Sequence, residues 1–183
     1  MFVFTQTDIK DVFIVEPKVF GDSRGYFMET YNEEKFKKAG LNYKFVQDNQ
    51  SKSHKGVLRG LHFQKKYPQA KLVRAISGEI YDVAVDLRKG SPTYGKWVGA
   101  ILSGENKKML MIPRGFAHGF VVLSESAELN YKCDEFYHPE DEGGIIWNDP
   151  DIGINWPYKG EPSLSQKDEK HPTFKDAKME FVL

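Results

Sequence analysis

The run Lys71-Leu-Val-Arg-Ala-Ile-Ser-Gly-Glu-Ile-Tyr-Asp-Val-Ala-Val-Asp-Leu87 holds two apolar segments on either side of Ser77-Gly78. Lys71 to Ile76 and Glu79 to Leu87 are rich in β-branched and alternating residues and read as strands. The two-residue Ser-Gly link predicts a hairpin between them. If Ile76 pairs with Glu79, Val73 falls opposite Asp82 and Lys71 opposite Ala84. Side chains alternate along a strand, so Lys71 and Asp82 share a face with Val73, Ala75, Ile80 and Ala84. Leu72, Arg74, Ile76, Tyr81, Val83 and Val85 take the other. A lysine and an aspartate among small apolar residues suit the polar lining of a cavity; an outer face with an ordinary salt bridge is the alternative.

Working outward, the same strand pattern recurs. Val12–Val15, Tyr26–Tyr31, Phe45–Ser51 and Gly56–Gln64 precede the hairpin; Lys96–Leu102, Lys108–Ile112, Phe116–Leu123 and Ala127–Cys133 follow it. Gly21-Asp-Ser-Arg-Gly25, Gly104-Glu105 and Pro113-Arg-Gly115 supply turns. One helix is expected, over 32–39. Asn32 can cap it, Glu33 and Glu34 sit in its first turn, Lys37 and Lys38 in its last, and Gly40 can close it. After Tyr137 the chain turns rich in Pro, Gly and Asp. It keeps Ile145, Ile146, Trp147, Ile154 and Trp156, so this tail is expected to pack on the strands as irregular structure. No repeat at a solenoid period is present. Many short strands with little helix predict an all-β sandwich or barrel, and 183 residues suit a single domain over 1–183.

Bulk properties narrow the function. Lys+Arg and Asp+Glu are both 26, so the net charge is zero and no broad field for nucleic acid or membrane is expected. The single cysteine, Cys133, rules out an internal disulfide and points to a reducing compartment. Met1 to Lys10 lacks a basic start followed by an apolar core, and no apolar run nears the ~20 residues of a membrane span. A cytoplasmic protein is expected.

The candidate chemistry begins at Gly56-Val-Leu-Arg-Gly-Leu-His-Phe-Gln64. A buried strand has little use for Arg59 and His62 unless it lines a wet cavity; an edge strand with a solvated arginine is the plainer alternative. The two lie three apart, which a regular strand aims at opposite faces, so if they share a site a bulge or twist is expected, with Gly60 its place. Of five histidines, His118 follows the Pro113-Gly115 turn into a strand. Metal-binding cupins carry two histidines one residue apart, then a glutamate seven residues before a glycine. Here His62 and Gln64 take the first two positions, and counting back from Gly78 puts Lys71 at the third. A protonated amine repels a cation. Pro113, Gly115 and His118 match the second cupin motif. The sequence therefore resembles a cupin whose metal site is dismantled, and no metal or other cofactor is expected. Positive charge at Lys71 suits an anionic substrate or intermediate.

A closer resemblance spans essentially the whole chain. Arg59-Gly-Leu-His62-Phe-Gln, Gln69-Ala-Lys71-Leu-Val, Gly78-Glu-Ile-Tyr-Asp82-Val-Ala-Val-Asp-Leu-Arg88, Pro113-Arg-Gly-Phe-Ala-His118-Gly-Phe, Tyr131-Lys-Cys, Trp147-Asn-Asp-Pro-Asp-Ile-Gly-Ile-Asn-Trp156 and Lys167-Asp168 resemble the dTDP-4-dehydrorhamnose 3,5-epimerase family. The resemblance implies a metal-free, cupin-like jelly roll that acts on a dTDP-linked 4-keto-6-deoxy sugar, and a homodimer that exchanges N-terminal strands. It makes His62 the base, Asp168 the acid that orients it, and Tyr131 the proton donor on the opposite face. Lys71 matches a contact near the keto oxygen, His118 lines the same cavity, and Arg59 fits a diphosphate. Arg24, Glu29, Gln47, Asn49, Glu142 and Lys167 match further substrate-binding positions, and Tyr137 matches an aromatic stacked near the nucleotide. Rival readings are an enzyme that inverts C3 alone or isomerises the ketone, a sugar-nucleotide-binding module without turnover, and a metal-dependent oxygenase.

Overall fold

The computed structural model describes residues 1–179 and 181–182. In chain order it contains β1 (Phe2–Gln6), β2 (Phe13–Pro17), β3 (Val19–Asp22), β4 (Gly25–Met28), α1 (Glu33–Lys38), β5 (Gln47–His54), β6 (Leu58–Gln64), β7 (Lys71–Ser77), β8 (Glu79–Asp86) and β9 (Arg88–Lys89). Then come β10 (Trp97–Ser103), β11 (Met109–Ile112), β12 (Phe116–Val122), β13 (Ser126–Cys133), β14 (Glu142–Gly144) and β15 (Phe181–Val182), with short 3-10 turns at Pro139–Asp141 and Asp168–Lys170. One sheet has the order β1-β2-β11-β7-β13-β5 and the other β10-β8-β12-β6-β14. They pack face to face as a jelly roll.

The Ser77-Gly78 link is not a hairpin turn. β7 pairs with β11 and β13, whereas β8 pairs with β10 and β12 in the opposite sheet. Gly78 holds the corner at φ 71°, where an added Cβ would lie 2.1 Å from the Ser126 carbonyl oxygen. Lys108–Ile112 likewise leaves its preceding strand for the other sheet. Alternation of faces survives this correction, because both strands turn the same side chains into the barrel. Val73 and Ala75 from β7 meet Ile80 and Ala84 from β8 in one core, joined by Leu102, Leu110, Phe116, Phe120, Val122 and Leu129.

Two further apolar layers cover the outer faces. Over the six-stranded sheet, Phe36 of α1 packs beside Leu72, Met109 and Met111, edge-on to Phe4 and Tyr31 at 5.1 and 5.0 Å between ring centroids. Asn32 caps α1 as expected, its Oδ1 accepting from the Lys35 amide at 3.1 Å. Over the five-stranded sheet, the irregular tail lays Ile145, Ile152, Met179 and Phe181 on Leu61, Phe63, Val83 and Val85. Backbone bonds between Ile145 and Leu61 at 3.0 and 3.1 Å, and from Leu58 to Ser163 at 3.0 Å, tie the tail along β6. That docking carries Asp168 to the barrel mouth. β1 was not expected; it pairs with β2 at the sheet edge. The β3–β4 arm forms a separate two-stranded sheet with Phe20, Tyr26 and Phe27 exposed. No helix among the described residues is long and apolar enough to cross a membrane.

Candidate active site

β6 and β12 set the site. His118 pairs with His62 but Phe120 pairs with Arg59, so three residues of β6 run against two of β12. The extra residue is a bulge at Gly60-Leu61, with Gly60 at φ 133°. A Cβ at Gly60 would sit 2.6 Å from the Gly119 Cα, so the two strands approach more closely than any side chain permits. The bulge sends Leu61 into the tail-covered layer while Arg59 and His62 line one shared concavity.

His62 Nε2 lies 2.5 Å from Asp168 Oδ1. Asp168 is 3% exposed and its backbone amide donates to Ser165 Oγ at 3.1 Å. Burial alone would raise the Asp168 carboxyl, but the His171 and His62 imidazoles beside it outweigh it and hold the group well below the usual carboxylate range. The carboxylate therefore fixes the Nε2–H tautomer of His62 and leaves Nδ1 as its free basic atom.

Across a cavity of about 330 Å³ from His62 stand Lys71, Tyr131, Gln47, Asn49 and Tyr137, with Glu142 at the rim. Asp134 Oδ1 accepts from the Ala70 amide at 2.6 Å and so pins the start of β7, where Lys71 projects. The Lys71 amine lies 5.9 Å from the centre of the Tyr131 ring. Burial pulls the ammonium below its usual range, opposed in part by Cys133, Asp82 and Glu142. Burial and Cys133 push the Tyr131 phenol up, against an opposing effect of Arg59, so it keeps its proton at neutral pH. His118 Nε2 bonds Asp82 Oδ1 at 2.7 Å inside the barrel, and burial lowers its basicity despite that partner.

A second cavity of about 280 Å³ meets the first at His62 and Glu142 and is lined by Arg59, Lys167 and Asp168. Arg59 Nε donates to Ser53 Oγ at 3.1 Å. Lys167 pairs with Glu142, which also accepts from the Tyr137 hydroxyl at 3.0 Å. Gln47 Oε1 receives the Tyr137 amide at 2.9 Å, and its own amide donates to Asn49 at 3.1 Å. Eleven of the thirteen residues expected at the site thus gather around this trough or behind it. Arg24 and Glu29 do not. Arg24 lies on the β3–β4 arm, paired with Asp22 at 2.6 Å, and Glu29 bonds Asn32 and Lys35.

The cupin metal position does not fit a cation. Gln64 spends its amide on the Tyr67 and Phe136 carbonyls and the His138 amide, at 2.7, 3.1 and 2.7 Å. Lys71 stands where a glutamate would ligate, and the His118 Nε2 is committed to Asp82. Sequence reasoning passed over Asp82 as a partner of His118 and passed over His171 entirely. His171 follows Asp168 by three, a spacing that a 3-10 turn stacks on one side. Its Nε2 lies 3.3 Å from the same Oδ1.

Comparisons with known proteins give the family. Residues 6–176 match the family model of dTDP-4-dehydrorhamnose 3,5-epimerase. The dTDP-4-dehydrorhamnose 3,5-epimerase of Salmonella typhimurium is 56% identical over 179 residues, covering 97% of this chain and 98% of its own. The crystal structure of the Elizabethkingia anophelis enzyme of that name is 56% identical and superposes with a TM-score of 0.91 over 96% of this chain and 97% of its own. The dTDP-6-deoxy-D-glucose-3,5-epimerase of Legionella pneumophila, solved with dTDP-4-keto-L-rhamnose, is 48% identical with a TM-score of 0.94, covering 96% and 94%. With identity at this level over nearly the full chain, on the same jelly roll, the chain belongs to the dTDP-4-dehydrorhamnose 3,5-epimerase family.

Proposed function

We propose that the chain inverts C3 and C5 of dTDP-4-dehydro-6-deoxy-D-glucose to give dTDP-4-dehydro-L-rhamnose, in dTDP-L-rhamnose biosynthesis, without metal or other cofactor. Both hydrogens are alpha to the C4 ketone, so each inversion needs a base on one face, an acid on the other, and a cation at the enolate oxygen. His62 Nδ1 takes the proton, and the resulting imidazolium is held by Asp168 at 2.5 Å. The electron pair moves onto the C4 oxygen beside Lys71. A half-buried ammonium facing the cavity is costly while the site is neutral and is relieved when the enolate forms, so Lys71 favours the transition state over the ground state. Tyr131 then delivers its phenolic proton from the opposite side; solvent returns a proton to Tyr131 and takes the one held by His62, which resets both for the second carbon. Arg59 and Lys167 take the diphosphate, and Tyr137 stacks on the nucleotide.

The observation that carries this reading is one cavity holding an imidazole backed by a buried carboxylate, facing a phenol and an ammonium. Binding alone calls for no base with an orienting acid. The exposed β3–β4 arm supports the finer proposal of a homodimer with N-terminal strand exchange, in which Arg24 and Glu29 serve the partner's cavity. One buried free thiol, Cys133, accords with a cytoplasmic site of action. Incubation with the dTDP-4-keto sugar in deuterated water tests the function. Uptake at both C3 and C5 with inverted product is expected. Uptake at C3 alone identifies a C3 epimerase, and no uptake identifies a binding module.

A further inference from the structure

We propose that His62, Asp168 and His171 form a divalent-metal site of the kind that takes Zn²⁺, and that filling it switches the base off. One donor atom from each residue falls in a cluster whose members all lie within 4.8 Å of one another. Both imidazole Nε2 atoms face the same oxygen, Asp168 Oδ1, at 2.5 and 3.3 Å. A tetrahedral Zn²⁺ with bonds of about 2.0–2.1 Å wants its ligand atoms about 3.3 Å apart. His171 already stands at that separation from Asp168, His62 stands inside it by less than about 1 Å, and the two imidazole donors, within 4.8 Å of each other, draw together on the ion. Two imidazoles and a carboxylate, with a position left open, are a donor set that zinc accepts.

A second observation points to the same ligand. His171 Nε2 is buried without an aligned hydrogen-bond partner among the described residues, and its side chain is 9% exposed. That nitrogen has the Asp168 carboxylate as an ionic neighbour but no aligned hydrogen bond, and a metal bond would satisfy it. The ring is held from behind as well. Its atoms occupy the space a Cβ on Gly144 would need, and it meets the His62 ring edge-on at 5.6 Å. The cluster forms the wall between two cavities, one reaching His62 and Asp168 and the other reaching His171, so an ion has a way in.

The consequence follows from imidazole chemistry. A neutral ring carries one proton. At rest that proton is on Nε2, shared with Asp168, and Nδ1 is free to act. A metal bonded to Nε2 moves the proton to Nδ1 through solvent, with no net loss from the ring. The lone pair that would attack the substrate is then gone, although nothing blocks the cavity. The inhibition half of this proposal rests on His62 as the base; the binding half does not.

The test uses the full chain, freed of metal by chelation and dialysis. Co²⁺ is the spectroscopic probe and Zn²⁺ the calorimetric one. One ion per chain is expected, with visible Co²⁺ bands of a four- or five-coordinate site that Zn²⁺ removes. Deuterium uptake should fall more than about tenfold at saturating Zn²⁺ and return with EDTA. His171→Phe and His171→Ala, each checked for folding and compared with its own metal-free rate, should bind more than about tenfold more weakly, since even outer-shell losses cost that much. Nitrogen-15 NMR of the wild-type imidazoles needs no variant and should show His62 change tautomer on adding Zn²⁺. Absence of binding, equal binding by both variants, or an unchanged His62 tautomer would each overturn the proposal. Failure of the base assignment shows separately, as metal-free His62→Ala that still exchanges at the wild-type rate.

Discussion

Tyr131→Phe separates deprotonation from inversion. Tyr131 lies on β13 between Val73 and Asn49 of the neighbouring strands, with its ring against the barrel core. Its hydroxyl has no hydrogen-bond partner among the described residues and opens on the cavity. Removing it orphans nothing, so the fold should lose no more than about 0.5 kcal/mol, as at uncommitted sites. That corresponds to roughly 1–2 °C in Tm for a chain of this size. A general acid contributes on the order of 10²–10⁴-fold, which is about 2.7–5.4 kcal/mol. The chemical effect should therefore exceed the structural one several times over. The proposed base and enolate partner, His62 and Lys71, are untouched in the variant, so His62 is expected to return solvent deuterium to the face it came from. The assay follows C3 and C5 by NMR in deuterated water, scoring label and configuration separately. Label with retained configuration and little inverted product is expected. If the ratio of exchange to inversion stays at the wild-type value on folded enzyme, Tyr131 is not the donor.

Other outcomes follow from the same geometry. Activity should survive EDTA treatment and dialysis, and a loss restored by one specific metal would overturn the cofactor-free reading. Asp168→Asn should slow exchange roughly 10- to 150-fold, the value of the about 1.5–3 kcal/mol in a charge-assisted bond; initial rates of deuterium uptake measure it. Because the folded Asp168 carboxyl is depressed, its stabilisation is fully present above the ordinary carboxylate range near ~4 and is lost as pH falls below that range. The variant's urea midpoint should therefore fall less steeply than wild type over that acid window, and parallel curves would refute the linkage. Lys71→Met should cost about 10²–10³-fold in turnover yet leave stability unchanged or raise it by less than about 1 kcal/mol, since a half-buried, partly desolvated ammonium is removed; paired kinetics and denaturation decide. Gly60→Ala should destabilise by at least about 1–3 kcal/mol, because φ 133° and the 2.6 Å approach to Gly119 leave no room for a Cβ.

Alternation of residue type made much of the interior legible in sequence. It put Lys71 and Asp82 on one face with Val73 and Ala84, and that face is the barrel interior. The irregularity at Gly60 was legible too: the family resemblance put Arg59 and His62 at one site, which called for a bulge or a twist there, and the strand has the bulge. Pairing partners were not legible. A Ser-Gly link serves a hairpin or a corner between sheets equally well, and only the packing of distant strands decides which. Asp168 meeting His62 was readable only through family resemblance, because no local pattern spans the loops of the tail. His171 escaped altogether: one histidine in a polar tail looks like a solvated residue until its neighbour is known to be buried.

The corner at Ser77-Gly78 has a kinetic meaning. Because consecutive strands keep changing sheets, only β1–β2, β3–β4 and the β8–β10 pair can zip up between near neighbours. β5 must wait for β13, and β6 for both β12 and β14. Such a topology folds late and over milliseconds to seconds, because chain closure precedes the contacts that reward it. On a ribosome, His62 emerges more than a hundred residues ahead of Asp168. The carboxylate partner of His62 is therefore among the last parts of the site to be made, long after the imidazole it meets.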